Sequence, residues 1–283
     1  MIVTRFAPSP TGLLHLGHAY SLAQGARAAR DGQLKLRIDD LDPGRCRPEF
    51  VDGIMEDMDW LGVRFDGDVM VESQRVDAYE DALDSLRQRG LLYACFCTRK
   101  DIVAALNAPH GDPGAHYPGT CRGLPDHPVR REAEPHSWRL DGKKALEMAG
   151  GLPSWRDHDG TNHRGREEDI GDAILARKDA PAAYHLACVL DDAAQGVNLV
   201  TRSADLEGST TIQRLLQILL DLPEPSYLHH RLVVDAGTGK RLSKRDEAPT
   251  LKAMRDKGVD GPALLEGLMD ERLPLGFALA DPT

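Results

Sequence analysis

Short apolar runs alternate with longer amphipathic ones through the first hundred residues, the rhythm of βα units on a parallel sheet. Ile2 to Phe6 reads as a strand and Leu16 to Ala29 as a helix rich in Ala and Leu. Leu34 to Ile38 follows as a second strand after an Asp31-Gly32 turn. Helices are predicted at about Glu49 to Leu61 and Asp77 to Arg89, with an Asp66-Gly67 turn between them, and a strand at Leu91 to Phe96. From about Pro109 to His163 prolines, glycines and histidines become dense and the helical period fades, which predicts a loop-rich insertion. Beyond Asp169, the runs Ala173 to Arg177, Tyr184 to Leu190, Val197 to Thr201 and Leu228 to Val234 read as strands. Ser209 to Leu220 reads as a helix capped by Ser209 or Thr210, and a short helical tail closes the chain.

At roughly 150 residues per domain, 283 residues allow one large domain with a sizeable insertion, or two modest ones. A composition 41% hydrophobic and 28% charged, with a mean hydropathy of -0.40, belongs to soluble globular proteins and excludes wholesale disorder. No apolar run approaches the roughly 18 residues of a membrane span. The N-terminus turns into Pro8-Ser9-Pro10 before any signal-peptide core forms, so the expected location is the cytoplasm, away from membranes. With 35 basic and 45 acidic residues the net charge is -10, which argues against broad electrostatic capture of nucleic acid and leaves room only for a local basic surface. The five cysteines are an odd number, and Cys95-Phe96-Cys97 is too tightly spaced for an easy mutual disulfide; in a cytosolic chain that spacing suggests metal first.

The densest chemical signal is Arg5-Phe6-Ala7-Pro8-Ser9-Pro10-Thr11-Gly12-Leu13-Leu14-His15-Leu16-Gly17-His18. A strand runs into a Pro/Gly loop and then into a helix whose first turn holds two imidazoles around a glycine. Exposed N–H groups and the positive end of the helix dipole favour phosphate there. Gly17 would admit an adenine or ribose to the backbone, while His15 and His18 would donate to phosphate oxygens as charge develops. A second basic element, Lys240-Arg241-Leu242-Ser243-Lys244-Arg245, follows the Gly237-Thr238-Gly239 turn, where paired cations would neutralise a leaving pyrophosphate. Either element alone is also what a helix start or a solvated basic patch looks like; the pair is far more specific.

Together the two elements resemble the paired signatures of class I aminoacyl-tRNA synthetases, a His-x-Gly-His type motif and a Lys-Met-Ser-Lys-Ser type loop. Here they read His15-Leu16-Gly17-His18 and Arg241-Leu242-Ser243-Lys244-Arg245, with Leu for Met and Arg for the last Ser. The opening Arg5 to Gly12 is similar to the glutamyl branch, as is Leu36-Arg37-Ile38-Asp39-Asp40-Leu41-Asp42, although that branch usually has Glu where Asp39 stands. The resemblance implies an α/β fold, a Rossmann-like catalytic domain on a parallel sheet. It also implies His15, His18 and Lys244 as catalytic residues, and His15, Gly17, His18, Ser243 and Lys244 as ATP-binding ones. A glutamate pocket would be lined by Arg5, Phe6, Ala7, Pro8, Ser9, Asp39, Tyr184 and Arg202. On physical grounds an acidic substrate calls for two-pronged arginine contacts, with Arg5 and Arg202 as the candidates, Asp39 for the substrate ammonium and Tyr184 for its polar groups. Asp39 reaches about one methylene less far than Glu. Outside a synthetase, Tyr184 would read as a core aromatic and Arg202 as one half of a surface ion pair.

Cys95, Cys97 and Cys121 with one further donor would hold a structural zinc and pin a segment with little core of its own. His110, His116 and His127 are ordinary zinc ligands. Cys-x-Cys followed by Tyr-x-x-x-Cys is, however, similar to the zinc site of a small branch of the family, the glutamyl-Q tRNA(Asp) synthetases, which implies Tyr117 as the fourth ligand. Cys46 and Cys188 read as bystanders, and Glu167-Glu168-Asp169 and Glu56-Asp57-x-Asp59 as solvated faces. Only Asp246 to Thr283 follow the Ser-Lys loop, too little for a domain of its own. The expected organisation is therefore a catalytic domain split over 1–94 and 166–250, a zinc-carrying acceptor-type insertion at 95–165, a tail at 251–283, and no anticodon-binding domain. The branch resemblance implies a monomer that uses ATP with Mg2+ to activate L-glutamate without tRNA and then esterifies it to the queuosine of tRNA(Asp). Two alternatives stand beside it: a compact synthetase charging the 3′ end of tRNA(Glu), and an inactive tRNA-binding adaptor.

Overall fold

The computed structural model describes residues 1–106, 117–125, 128–242 and 249–280. The first half opens with β1 (Val3–Phe6), α1 (Leu16–Ala28), β2 (Gln33–Ile38), α2 (Pro48–Leu61), the short β3 (Met70–Val71), α3 (Val76–Gln88) and β4 (Leu92–Cys95). Apart from β3, which the periodicity does not predict, these match the expected elements to within a residue or two. β1 pairs in parallel with β2, Val3 opposite Gln33 through Phe6 opposite Leu36, and β2 pairs in parallel with β3.

α4 (Arg99–Leu106) follows β4, and the interval with weak periodicity carries short elements: α5 (Pro128–Ala133), β5 (Ser137–Leu140), α6 (Gly142–Ala149), β6 (Ser154–Arg156) and β7 (Asn162–Arg164). β4 and β5 pair antiparallel, β8 (Ile174–Ala176) adds to β5, and β6–β7 is a hairpin. α6 is legible in retrospect, since Asp141 caps it by accepting from Lys144 N–H and Gly150 ends it in the left-handed conformation at φ 81°. Its Ala145, with Leu140 of β5, buries in the same core as α3 and the helices that follow.

α7 (Tyr184–Ala194) corrects an expectation, because the run Tyr184 to Leu190 reads as a strand. Leu186, Ala187, Cys188 and Val189 are all buried, as are Asp191 and Asp192. A helix covered on nearly every side has no polar stripe, so a short stretch of it cannot be told from a buried strand by periodicity. β9 (Leu199–Ser203) leads to α8 (Gly208–Leu219), whose cap position is Glu207. Neither Ser209 nor Thr210 caps that helix, and Thr210 and Thr211 are buried within it. The run Leu228 to Val234 breaks at Arg231 into β10 (Ser226–His230), parallel to β9, and β11 (Leu232–Asp235). α9 (Leu251–Asp256), α10 (Gly261–Met269) and β12 (Phe277–Ala280) form the tail, with β12 antiparallel to β11.

The edges of β1 and β9 lie side by side. Asn198 N–H donates to Val3 O (3.0 Å), and the hydroxyls of Thr4 and Thr201 meet at 3.2 Å. Strands thus lead away from this seam in both directions, β1 to β2 to β3 and β9 to β10, and such a switch point opens a crevice at the carboxyl ends of its strands. One core packs α1, α2 and α10 on the first strands through Leu16, Leu22, Leu36, Ile54 and Leu265; a second joins α3, α7 and α8 through Leu86, Leu186 and Leu215. Each fully buried leucine contributes about 1.5–3 kcal/mol. Asp57, expected on a solvated face, is buried and paired with Arg255 at 3.0 Å, which fastens α9 to α2. No helix among the described residues is long and apolar enough to cross a membrane.

Candidate active site and metal centre

At the switch point lies a cleft of about 500 Å3. Its lining includes Arg5, Phe6, Ala7, Pro8 and Ser9 from the end of β1, Asp39 after β2, Tyr184 at the start of α7 and Arg202 at the end of β9. His15, Gly17 and His18 line it from the first turn of α1. Every residue expected in the glutamate pocket is therefore at the cleft, as are these three of the expected ATP-binding residues. Ser243 and Lys244 lie outside the described residues, but Arg241 and Leu242 before them reach the cleft. After them, Leu251 N–H donates to Leu14 O (2.8 Å), so the far side of the basic loop is tied to the histidine motif.

The two histidines cap α1 reciprocally. His15 Nδ1 accepts from Gly17 N–H, and His18 Nδ1 accepts from His15 N–H, each at 3.1 Å. With Nδ1 accepting, a neutral ring carries its proton on Nε2, the tautomer suited to donating outward. Gly17 has a reason beyond ligand access: a Cβ there would lie 3.0 Å from His15 Cε1 and push that ring out of its cap.

Beneath the cleft is a buried ion network. Asp192 Oδ1 accepts from Arg5 Nε (2.8 Å) and Arg37 NH1 (2.6 Å), and both oxygens of Asp39 accept from Arg37, at 2.7 and 3.3 Å. Arg5 NH1 also donates to Thr201 O at 3.0 Å. Burial disfavours ionisation of Asp192, yet Arg5 and Arg37 outweigh it and hold the carboxyl at about 2. Burial raises the Asp39 carboxyl, with Arg37 opposing.

Arg202 is built differently. It is buried, and its Nε donates to His229 Nε2 (3.3 Å), NH1 to Gln213 Oε1 (2.5 Å) and NH2 to Thr210 Oγ1 (2.6 Å). All three acceptors are neutral, because burial and the neighbouring Arg202 push the His229 imidazole down to about 3. No carboxylate among the described residues pairs with Arg202, so its positive charge and its remaining N–H donors are left for an anion in the cleft.

The second centre lies in the insertion, where Cys95, Cys97 and Cys121 place their sulfurs within 4.8 Å of one another. The Tyr117 hydroxyl is 3.3 Å from Cys95 Sγ and 3.7 Å from Cys97 Sγ, and the Cys97 and Cys121 sulfurs are 3.5 Å apart. A tetrahedral zinc with Zn–S of about 2.3 Å and Zn–O of about 2.0 Å separates its ligands by roughly 3.5–3.8 Å, close to these three separations, so the cluster could hold such an ion. Cys95, Tyr117 and Cys121 are buried in a small cluster apart from the two main cores. His110, His116 and His127 lie outside the described residues.

The model of the catalytic domain of class I tRNA synthetases (E and Q) matches residues 1–273. The chain belongs to this family. As a synthetase it is a ligase, and ATP is a substrate of its class. It is 42% identical over 276 residues, 91% of this chain and 96% of the relative, to a glutamyl-Q tRNA(Asp) synthetase of Rhodobacter capsulatus. It is 40% identical, over 97% of this chain and 89% of the relative, to one of Nitratidesulfovibrio vulgaris. Among solved structures, a glutamate-tRNA synthetase of Elizabethkingia anophelis superimposes with a TM-score of 0.78 at 23% identity, over 95% of this chain. The synthetase spans about three-fifths of that solved chain, 61%.

Reading the sequence does not find Arg37, Asp192, Thr210, Gln213 or His229. The signals available were an arginine inside the apolar run Leu34 to Ile38 and an Asp191-Asp192 pair inside the apolar run of α7. Arg37 lies in the Leu36 to Asp42 motif but nothing there singles it out for a role, Asp192 lies in no motif, and the two are 155 positions apart in the chain.

Proposed function

We propose that this synthetase activates glutamate with ATP and Mg2+ to glutamyl-adenylate, without needing tRNA for that step, and transfers the glutamyl group to queuosine in tRNA(Asp). The observation that carries the amino-acid assignment is Arg202, a buried guanidinium in the cleft whose hydrogen-bond partners are all neutral. A cation so held calls for an anionic ligand, and it discriminates against neutral ones because burying its charge unpaired is costly. The acceptor assignment rests on the names of relatives of nearly the same length.

In this reading Arg202 binds a carboxylate of glutamate, with Arg5, Phe6, Ala7, Pro8 and Ser9 shaping the pocket. Asp39 takes the ammonium on oxygens already fixed by Arg37, and Tyr184 closes one side. The glutamate α-carboxylate attacks the α-phosphorus in line and pyrophosphate leaves, so catalysis is positioning and charge stabilisation. His15, Gly17 and His18 receive the nucleotide at the N-terminus of α1, and Ser243 and Lys244 belong to the phosphate side. A queuosine hydroxyl then attacks the activated carbonyl and AMP leaves. Cys95, Cys97, Tyr117 and Cys121 hold one structural zinc that pins the 95–165 insertion between the catalytic segments 1–94 and 166–250, and the protein works as a cytoplasmic monomer. Radiolabelled glutamate offered with ATP and with tRNA(Asp) carrying or lacking queuosine tests the proposal. Label is expected only on the queuosine form; equal labelling of both, or labelling of tRNA(Glu) alone, contradicts it.

A further inference from the structure

Arg202 points its charge into the cleft only because three neutral groups hold it, and one of these, His229, is itself held from behind. The hairpin β6–β7 is fastened to β10 by His158 N–H donating to Tyr227 O at 2.7 Å. This sets the Asp157 carboxylate between two imidazoles, 2.8 Å from His163 Nε2 and 3.8 Å from His229 Nδ1. Both rings are clamped by aromatic neighbours: His163 stacks on Trp155 at an interplanar angle of 8°, and His229 on Tyr227 at 2°. The His229 side chain is 7% exposed and is not part of the cleft lining, so it acts on a ligand only through Arg202.

The direction of the hydrogen bonds settles the ring's tautomer. Arginine cannot accept, so His229 Nε2 must be bare to take the Arg202 Nε–H at 3.3 Å. A neutral imidazole then carries its proton on Nδ1, the nitrogen that faces Asp157. Asp157 Oδ1, which has no hydrogen bond of its own among the described residues, faces that nitrogen at 3.8 Å, a charge contact longer than a hydrogen bond that favours the proton on Nδ1 over Nε2. A proton on Nε2 would instead set two donors against each other and turn Arg202 out of position.

We infer that His229 is a positioning residue of the glutamate site, held by its hydrogen bond from Arg202 with the Asp157 charge favouring its Nδ1–H tautomer, so that the insertion's hairpin contributes to the aim of the carboxylate-binding arginine. This rests on the reading of Arg202 as the glutamate anchor. Burial and Arg202 both keep the His229 ring neutral, as the arrangement requires.

Glutamate-dependent ATP–pyrophosphate exchange by the full chain tests it, with KM for glutamate, KM for ATP and kcat measured separately. His229→Leu is expected to raise the glutamate KM about tenfold, the size of one lost hydrogen bond to a buried charge, with the ATP KM unchanged within about twofold. His229→Gln, which keeps an acceptor, should recover all but about threefold of that loss, and Asp157→Ala should raise the glutamate KM by about threefold to fivefold. Unchanged glutamate KM in His229→Leu and Asp157→Ala, or a fall in kcat without a KM split and without rescue by Gln, overturns the inference while leaving glutamate activation standing. A wild-type chain with no glutamate-dependent exchange overturns the functional reading itself, and this inference with it. Should His229→Leu fail to fold, Asp157→Ala decides by the same criterion.

Discussion

Two arrangements of buried arginine sit within one cleft and solve opposite problems. Arg5 and Arg37 share Asp192, and Arg37 adds a two-pronged contact to Asp39, so their charge is compensated inside the protein. Among the described residues, the Arg202 nitrogens donate to Thr210, Gln213 and His229 and pair with no carboxylate. The first arrangement fastens β1, β2 and α7 together and shapes the floor of the site. The second holds a charge whose partner must come from outside. A buried ion pair is costly to break from one side, whereas a buried unpaired charge weakens the fold and earns its place through binding.

The largest expected effect therefore falls on the compensated side. Asp192→Asn leaves two buried guanidinium groups without their shared anion, and should lower the unfolding free energy by about 3–5 kcal/mol in denaturant titrations. A loss below about 1 kcal/mol would mean that this network is not what joins β1 and β2 to α7. Asp39→Asn probes the boundary between the two arrangements, since its carboxylate belongs to the network and also faces the cleft. The expected result is a glutamate KM raised about tenfold with only a modest change in stability; a stability loss as large as that of Asp192→Asn would place Asp39 wholly within the network.

The smallest effect is in pH dependence. Burial and Arg202 push His185 down to about 4 and His229 to about 3, so both stay neutral in the folded chain while the unfolded chain takes up protons below the ordinary value of 6.5. Stability must then fall as the pH drops below about 6.5. Asp192, held near 2, adds its own loss only below about pH 4. Thermal and denaturant unfolding between about pH 6 and 4.5 should show a shallower decline for His229→Gln than for the wild type, by at most about 1.4 kcal/mol per pH unit. Equal slopes would mean that the imidazole at 229 does not stay neutral.

The two arrangements also differ in how far the sequence reveals them. The histidine motif and Arg5 to Ser9 are legible because one strand, one loop and one helix start put them within a few residues of each other. The cysteine cluster is legible because Cys95-Phe96-Cys97, too tightly spaced for an easy mutual disulfide, suggests metal in a segment with little core. Arg202 is legible only through family resemblance, and its character is not legible at all. What makes it distinctive is that none of its partners among the described residues is anionic, and that depends on α8 turning Thr210 and Gln213 toward β9 and on β10 placing His229 beside them. The strand reading of Tyr184 to Leu190 hid Asp192 as well: only as a helix does that run bring Asp192 to Arg5 and Arg37 while Tyr184 opens onto the cleft.

Arg202→Leu, followed by both glutamate-dependent ATP–pyrophosphate exchange and thermal unfolding, tests the central claim most directly. Loss of about a hundredfold or more in kcat/KM for glutamate, with a Tm equal to or above that of the wild type, is the predicted result. A variant that keeps its glutamate KM, or that loses as much stability as Asp192→Asn, would contradict it.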